Sequence, residues 1–241
     1  MANQWFKCKQ FEIKQDKCGH KVGTDSFLLG AWANVSNAKR ILDIGTGTGI
    51  LTLMCAQRTK ATITAIEVEK DAFEQAVENF RNSPWHDRIK YYHTSLERFI
   101  QVREKYDVII CNPPFFMNAI ISPDAKRTLA RHAHLLTLFD IVVFAQKRLN
   151  ASGHVSLIMP IEHLQYFIDL IKSNKWFVHR LTKVYPKIGK EAHRILIEFG
   201  KEKKGLEYDE LIIESEKRHI YTKKYYELTK DYYLNIMVEE I

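Results

Sequence analysis

The amino-acid sequence predicts an α/β fold, a mostly parallel sheet with helices on both faces. Three observations carry this expectation. Short β-rich apolar runs alternate with longer helical patterns from about residue 40 onward, a glycine-rich turn joins the first such run to the first helix, and 46% of the 241 residues are hydrophobic. Alternation of this kind implies βαβ units with right-handed crossovers. The apolar content suffices for one substantial core, and no repeat or Pro/Gly/Ser linker divides the chain, so one domain over 1–241 is expected.

The elements follow in order. "RILDI" (40–44) reads as a buried strand, "GILTLMCAQR" (49–58) as a helix, "ATITAIEV" (61–68) as a strand and "DAFEQAVENFRN" (71–82) as an amphipathic helix. "IKYYHT" (89–94), "YDVIIC" (106–111) and "HVSLIMP" (154–160) are further strands, separated by the helical stretches "SLERFIQV" and "LFDIVVFAQKRLN". "WFVHRLTKVYP" and "HRILIEFG" lack a crossover helix between them, which predicts an antiparallel pair closing the edge of the sheet. "LIIES" (211–215) could add a strand, and "YTKKYYELTKDYYLNIM" reads as a final amphipathic helix. Ahead of the sheet, within an amino-terminal strand and helix segment (1–38), "FEIKQDK" alternates like a short strand, and Thr24 or Asp25 could cap the helix "SFLLGAWA".

Charge and cysteine usage bound the partners. Lys and Arg (36) outnumber Asp and Glu (29), giving a formal charge of +7, which is compatible with RNA or DNA without selecting either. The four cysteines form no C-x-x-C pair and read as reduced cytoplasmic thiols. The first residues are too charged for a signal peptide and no apolar run spans a bilayer, so a cytoplasmic protein without a membrane partner is expected. "RHAH" (131–134) has no accompanying carboxylates, so no metal is expected.

In "LDIGTGTG" (42–49), Gly45, Gly47 and Gly49 permit a tight turn and close approach of a ligand near the positive end of the following helix. The G-x-G-x-G spacing is neither a dinucleotide fingerprint nor a P-loop. Glu67 lies 24 positions after Asp43 at the end of the second strand, where a carboxylate accepts hydrogen bonds from ribose hydroxyls. The ligand expected from this pairing contains a nucleoside.

"LDIGTGTG", "AIEVE" and the later "NPPF" (112–115) together resemble the class I S-adenosylmethionine-dependent methyltransferases, whose fold is Rossmann-like with a seven-stranded sheet and an antiparallel C-terminal strand pair. The resemblance implies that the three glycines face the methionyl part of S-adenosyl-L-methionine, that Asp43 lies behind the loop, and that Glu67 holds the ribose. It also implies that Ser95 and Leu96 flank the adenine ring.

The corner "CNPPFF" (111–116) ends a strand with no acid or base. Asn112 Oδ1 and the Pro113 carbonyl could each accept one N–H of an exocyclic amine, and Phe115 could stack on the ring that carries it. Phe116 reads as an entrance residue. The corner resembles the motif of enzymes that methylate planar nitrogens: adenine N6, guanine N2 or glutamine N5. By resemblance, "KQFEIKQDKCGHKVGTDSFLLGAWA" (9–33), "QRT", "NSPW" and "ARH" look like the bacterial tRNA1(Val) adenine-N6 methyltransferases, which act at position 37, and this similarity covers most of the chain. It makes Lys21, Thr24 and Asp25 candidate cofactor contacts, and tRNA the partner. Lys126 and Arg131 could meet phosphate or the anticodon loop, and Lys223 to Tyr226 could form a basic-aromatic surface. The rivals are a glutamine N5 methyltransferase, another DNA or rRNA amino-methyltransferase, and a silent RNA-binding scaffold.

Overall fold

A computed structural model of the chain describes residues 4–19, 21–114 and 136–239. A short hairpin leads, formed by β1 (Trp5–Lys7) and β2 (Glu12–Lys14) paired antiparallel. Helix α1 (Thr24–Trp32) follows, then β3 (Arg40–Ile44), α2 (Ile50–Arg58), β4 (Thr62–Glu67), α3 (Lys70–Arg81), β5 (Ile89–His93), α4 (Leu96–Phe99) and β6 (Tyr106–Cys111). The second half holds α5 (Leu138–Arg148), β7 (Leu149–Pro160), α6 (Leu164–Ser173), β8 (Phe177–Lys187), β9 (Arg194–Gly200), β10 (Glu207–Glu214) and α7 (Lys223–Thr229).

Strands β3 to β10 form one eight-stranded sheet in the order β10-β8-β9-β7-β6-β3-β4-β5. Only β9 runs against its neighbours, and β10 joins β8 in parallel. The predicted antiparallel pair is therefore present but does not close the sheet. The "LIIES" strand does, because the free edge of β8 is paired by β10, whose Leu211 and Ile213 are buried.

Both faces of the sheet are covered, which explains the continuous apolar runs in its strands. Ile41, Ile63, Val108 and Ile110 point into one cluster with α1, α2 and α3, while Leu42, Ile44, Ile66 and Ile109 point into the other with α5 and α6. The period-2 alternation of strand side chains requires this partition.

The C-terminal segment departs from the predicted long helix. It is helical only over Lys223–Thr229, because its tyrosines are needed as core. Tyr225 and Tyr232 are buried, Tyr232 Oη donates to the Met54 carbonyl (3.1 Å), and Tyr225 Oη lies 3.0 Å from Tyr233 Oη. Lys224 pairs with Asp209. Tyr225 is thereby withdrawn from the basic-aromatic surface that this stretch suggested, while Lys224 stays exposed. All four cysteines are free and buried, and burial pushes the Cys8 and Cys55 thiols up to about 12, far from reactivity. Among the described residues no helix is long and apolar enough to cross a membrane, and no group of three His, Cys, Asp or Glu could hold a metal.

Candidate active site

Strand order reverses between β3 and β6. From β3 the chain runs outward through β4 to β5, then returns to β6 on the other side of β3. In open α/β sheets the crevice outside the carboxyl ends of the strands at such a reversal is where ligands bind. Ile44 is in register with both Cys111 and Ile66, so the glycine loop after β3, Glu67 at the end of β4 and Asn112 just past β6 share one edge.

The loop takes the conformation its glycines allow. Gly45, Gly47 and Gly49 all have positive φ (69°, 55° and 86°), a region costly for residues with a Cβ. Cβ atoms at Gly45 and Gly47 would enter open space, whereas one at Gly49 would lie 2.4 Å from Phe80 Cε1. The first two glycines thus leave backbone accessible to a ligand, and the third lets α2 pack on α3.

Asp43 sits fully buried behind this loop. Thr46 Oγ1 and Thr52 Oγ1 both donate to its Oδ2 (2.6 and 2.8 Å), while Oδ1 has no hydrogen-bond partner among the described residues. Burial pushes this carboxyl up to about 6, the two hydroxyl donors pull the other way, and the Glu67 charge adds to the rise. Between the ordinary value of 3.8 and about 6, the folded chain keeps a proton that the unfolded chain has released, so stability from this group falls as pH rises. Above about pH 6 the full cost, on the order of 3 kcal/mol, is present. Asp43→Asn keeps an acceptor for both threonines and cannot ionise. Its urea midpoint, compared with wild type, should therefore shift upward between pH 4 and pH 7; a constant difference would show that Asp43 does not titrate there.

Glu67 is held hard. Its Oε2 accepts the Gly47 N–H (2.9 Å) and its Oε1 accepts the N–H groups of Val68 and Glu69 (2.8 and 2.9 Å). Three of a carboxylate's about four lone-pair directions are occupied, which leaves one for a ligand hydroxyl. Beside it opens a cavity of about 330 Å³ lined by Gly45, Glu67, Ser95 and Leu96, with Ile66, Ile100 and Phe144 as apolar wall. Ser95 also caps α4, its hydroxyl accepting from the Arg98 N–H (3.4 Å). A nucleoside with its ribose at Glu67 suits this mixture of apolar wall and few polar groups. A larger cavity of about 530 Å³ lies at the opposite edge, but Arg180 there stacks 4.2 Å over Trp32 and pairs with Glu198 and Glu207, and Arg58 bonds to the Gly30 carbonyl. Its arginines are already engaged by these contacts, so chemistry is better sought at the switch point.

The amino-terminal segment reaches the same edge by contacts that the sequence did not reveal. Asn79 Nδ2 donates to the carbonyls of both Lys14 and Thr48 (2.8 Å each), and Gln75 Oε1 accepts the Lys17 N–H (2.9 Å). Gln75 and Asn79, buried and one helical turn apart on α3, clip the segment over the glycine loop. The only signal for this was two polar residues on the apolar face of an otherwise amphipathic helix. Neither Thr24 nor Asp25 caps α1. Gly23 occupies the cap position with extended backbone, Thr24 is exposed, and Asp25 instead pairs with Arg194 at 2.8 Å. Lys21 is exposed just before the helix.

Asn112 and Pro113 leave the sheet at the end of β6, Asn112 half-buried and Pro113 buried. Asn112 Nδ2 donates to Ser26 Oγ (2.9 Å) on the first turn of α1, a partner unforeseen from the sequence. Phe115, Phe116, Lys126, Arg131 and "RHAH" lie outside the described residues.

Known proteins share much of this sequence and its fold. Residues 19–167 match the family model of the methyltransferase small domain. Curated proteins named tRNA1(Val) (adenine(37)-N6)-methyltransferase are similar over nearly the whole chain: 43% identical in Christiangramia forsetii (98% of this chain, 100% of that protein), 44% in Flavobacterium johnsoniae (96% and 100%) and 42% in Haemophilus influenzae (95% and 98%). Solved structures share the fold. One described as a predicted O-methyltransferase from Agrobacterium tumefaciens superposes with TM-score 0.67 at 20% identity (90% of this chain, 100% of that one). The 16S rRNA N2 G1207 methyltransferase of T. thermophilus, in complex with AdoMet and guanosine, does so with TM-score 0.53 at 17% identity (83% and 52%). With a glycine loop and an Asn-Pro-Pro corner flanking one switch point, and more than 40% identity over almost its full length, the chain belongs to the methyltransferase small domain family and, within it, to the tRNA1(Val) (adenine(37)-N6)-methyltransferases.

Proposed function

We propose that the protein transfers a methyl group from S-adenosyl-L-methionine to N6 of adenine 37 in tRNA1(Val), in the cytoplasm, where tRNA is found. The observation that carries this reading is the adjacency, across paired strands β3 and β6, of a nucleoside-sized cavity and a corner offering uncharged hydrogen-bond acceptors.

The chain's residues fit such a cofactor. Gly45 and Gly47 leave open space beside the backbone, Glu67 keeps one acceptor position, and Ser95 and Leu96 wall the cavity where an adenine would lie. Gly49 and Asp43 shape the loop from behind, and Lys21, Thr24 and Asp25, at the start of α1, would meet the methionyl part of the cofactor. When bound, the cofactor supplies an electrophilic methyl on a sulfonium.

Asn112 Oδ1 and the Pro113 carbonyl take the two N–H groups of the adenine amine, which draws N6 toward tetrahedral geometry and aims its lone pair. N6 can release its extra proton to water after attack, so no strong base is needed and positioning supplies most of the rate. The base must leave its loop stack at a cost of a few kcal/mol, offset by Phe115 stacking and these hydrogen bonds. Phe116, Lys126 and Arg131 serve the tRNA side.

Total tRNA from cells lacking this protein, incubated with the enzyme and labelled cofactor, should yield labelled N6-methyladenosine on nucleoside mass spectrometry. No label in tRNA, or label in release-factor glutamine alone when release factor is offered in a parallel incubation, would overturn the proposal. Binding should also weaken with salt. For three phosphate contacts, affinity should fall about 30-fold between about 50 and 200 mM monovalent salt, readable by filter binding or fluorescence anisotropy. A flat salt response would remove phosphate contact from the picture.

A further inference from the structure

We propose that Ser26 is the positioning residue that orients the carboxamide of Asn112. This deepens the function proposed above and rests on it. A primary amide has a donor end and an acceptor end of nearly the same shape; a serine hydroxyl can pair with either, and the pairing the structure takes decides which end is left for substrate. Here the donor end is occupied: Asn112 Nδ2 bonds to Ser26 Oγ at 2.9 Å, across 86 residues of sequence. The acceptor end, Oδ1, is thereby left for the N–H of an incoming amine. Inverted, the carboxamide would present its own N–H groups to an amino group, donor against donor, and could neither hold nor aim it.

The helix turn that carries this hydroxyl is itself held in place. Its neighbour Asp25 is paired with Arg194 on β9 at 2.8 Å, and Arg194 Nη1 also donates to the His193 carbonyl (3.0 Å). On the other side Phe27 is buried, 5.6 Å from the Phe6 ring and 4.3 Å from the Tyr233 ring, so the first turn of α1 is anchored before and after Ser26. Without the hydroxyl, the half-buried Nδ2 loses its partner, and the amide gains by rotating toward any other acceptor or water. The amino-terminal segment then has a role at the reacting end of the site, delivered by Ser26.

The test compares wild type with Ser26→Ala and Ser26→Thr. For Ser26→Ala, kcat for tRNA methylation should fall about tenfold, the effect of one lost hydrogen bond to a half-buried donor. The KM for tRNA and the Kd of S-adenosylhomocysteine should stay within about twofold, because neither reports how the amine is aimed. Ser26→Thr, which keeps the hydroxyl, should recover most of the rate. A second measurement needs no acceptor substrate: hydrogen exchange of the Asn112 side-chain amide, followed by NMR, should accelerate in Ser26→Ala and not in Ser26→Thr. Unchanged kcat and exchange in Ser26→Ala would overturn the proposal. So would a loss shared equally with S-adenosylhomocysteine affinity and thermal stability, or one that threonine fails to restore, since either marks a merely structural role. Should wild type itself transfer no methyl to tRNA, the functional reading falls, while the exchange measurement still decides whether Ser26 holds Asn112.

Discussion

Asn112→Ala should lower methyl transfer to tRNA by about 10²- to 10³-fold while leaving S-adenosylhomocysteine affinity within about twofold of wild type. The size follows from what is removed. The corner contains no acid, base or metal ligand, so its contribution is to hold the amine with its lone pair in line, and Asn112 Oδ1 is one of its two acceptors. The expected silence toward the cofactor follows from placement. The glycine loop and Glu67 lie on β3 and β4, and Asn112 does not line the cavity beside them. Single-turnover methylation and isothermal titration separate the two quantities. An alanine variant with near wild-type turnover would remove Asn112 from the mechanism, and one that had lost S-adenosylhomocysteine would make it a cofactor residue instead.

The second large effect is expected at Gly49. Gly49→Ala would place a Cβ 2.4 Å from Phe80 Cε1 and 2.9 Å from Cζ, in a backbone with φ of 86°. Phe80 cannot readily yield, being fully buried and packed 6.0 Å from the Tyr91 ring. Left-handed strain of about 1–2 kcal/mol adds to overpacking of about 1–3 kcal/mol. A loss near 3 kcal/mol would lower Tm by about 6–12 °C in a chain of this size. Cofactor affinity should fall with it, because the start of α2 must shift. Gly47→Ala supplies the contrast, since its Cβ would meet open space. It should weaken S-adenosylhomocysteine binding while costing only about 1–2 kcal/mol of stability. Calorimetric melting with and without S-adenosylhomocysteine distinguishes these patterns, and equal melting losses for both variants would contradict the division of labour among the glycines.

The parallel half of the sheet was legible because its strands are buried on both faces and read as continuous apolar runs bounded by turns, as in "RILDI" and "YDVIIC". The residues grouped at the switch point were legible for a related reason. Asp43, the three glycines, Glu67 and Asn112 all sit at strand ends, and a parallel sheet carries strand ends to one edge whatever the details of its packing. The antiparallel third was read less well. Nothing local in "HRILIEFG" states that β9 inserts between β7 and β8, because that choice depends on which edges are already paired. The C-terminal stretch has helical spacing, but burial of Tyr225 and Tyr232 against the rest of the core stopped its helix at Thr229.

By itself the sequence determined the order of elements, the family, and the chemistry to be sought, since periodicity, glycine spacing and the Asn-Pro-Pro corner are local properties of the chain. Only the tertiary structure decided which side chains meet. Capping by Thr24 or Asp25 was a reasonable local expectation, yet Asp25 found Arg194, 169 residues away, and left Gly23 as the cap. Ser26 meets Asn112, Asn79 bridges Lys14 to Thr48, and Glu67 grips the Gly47 N–H for the same reason. A hydrogen-bonding side chain has several competent partners in sequence, and only the packing of the elements that carry it selects one.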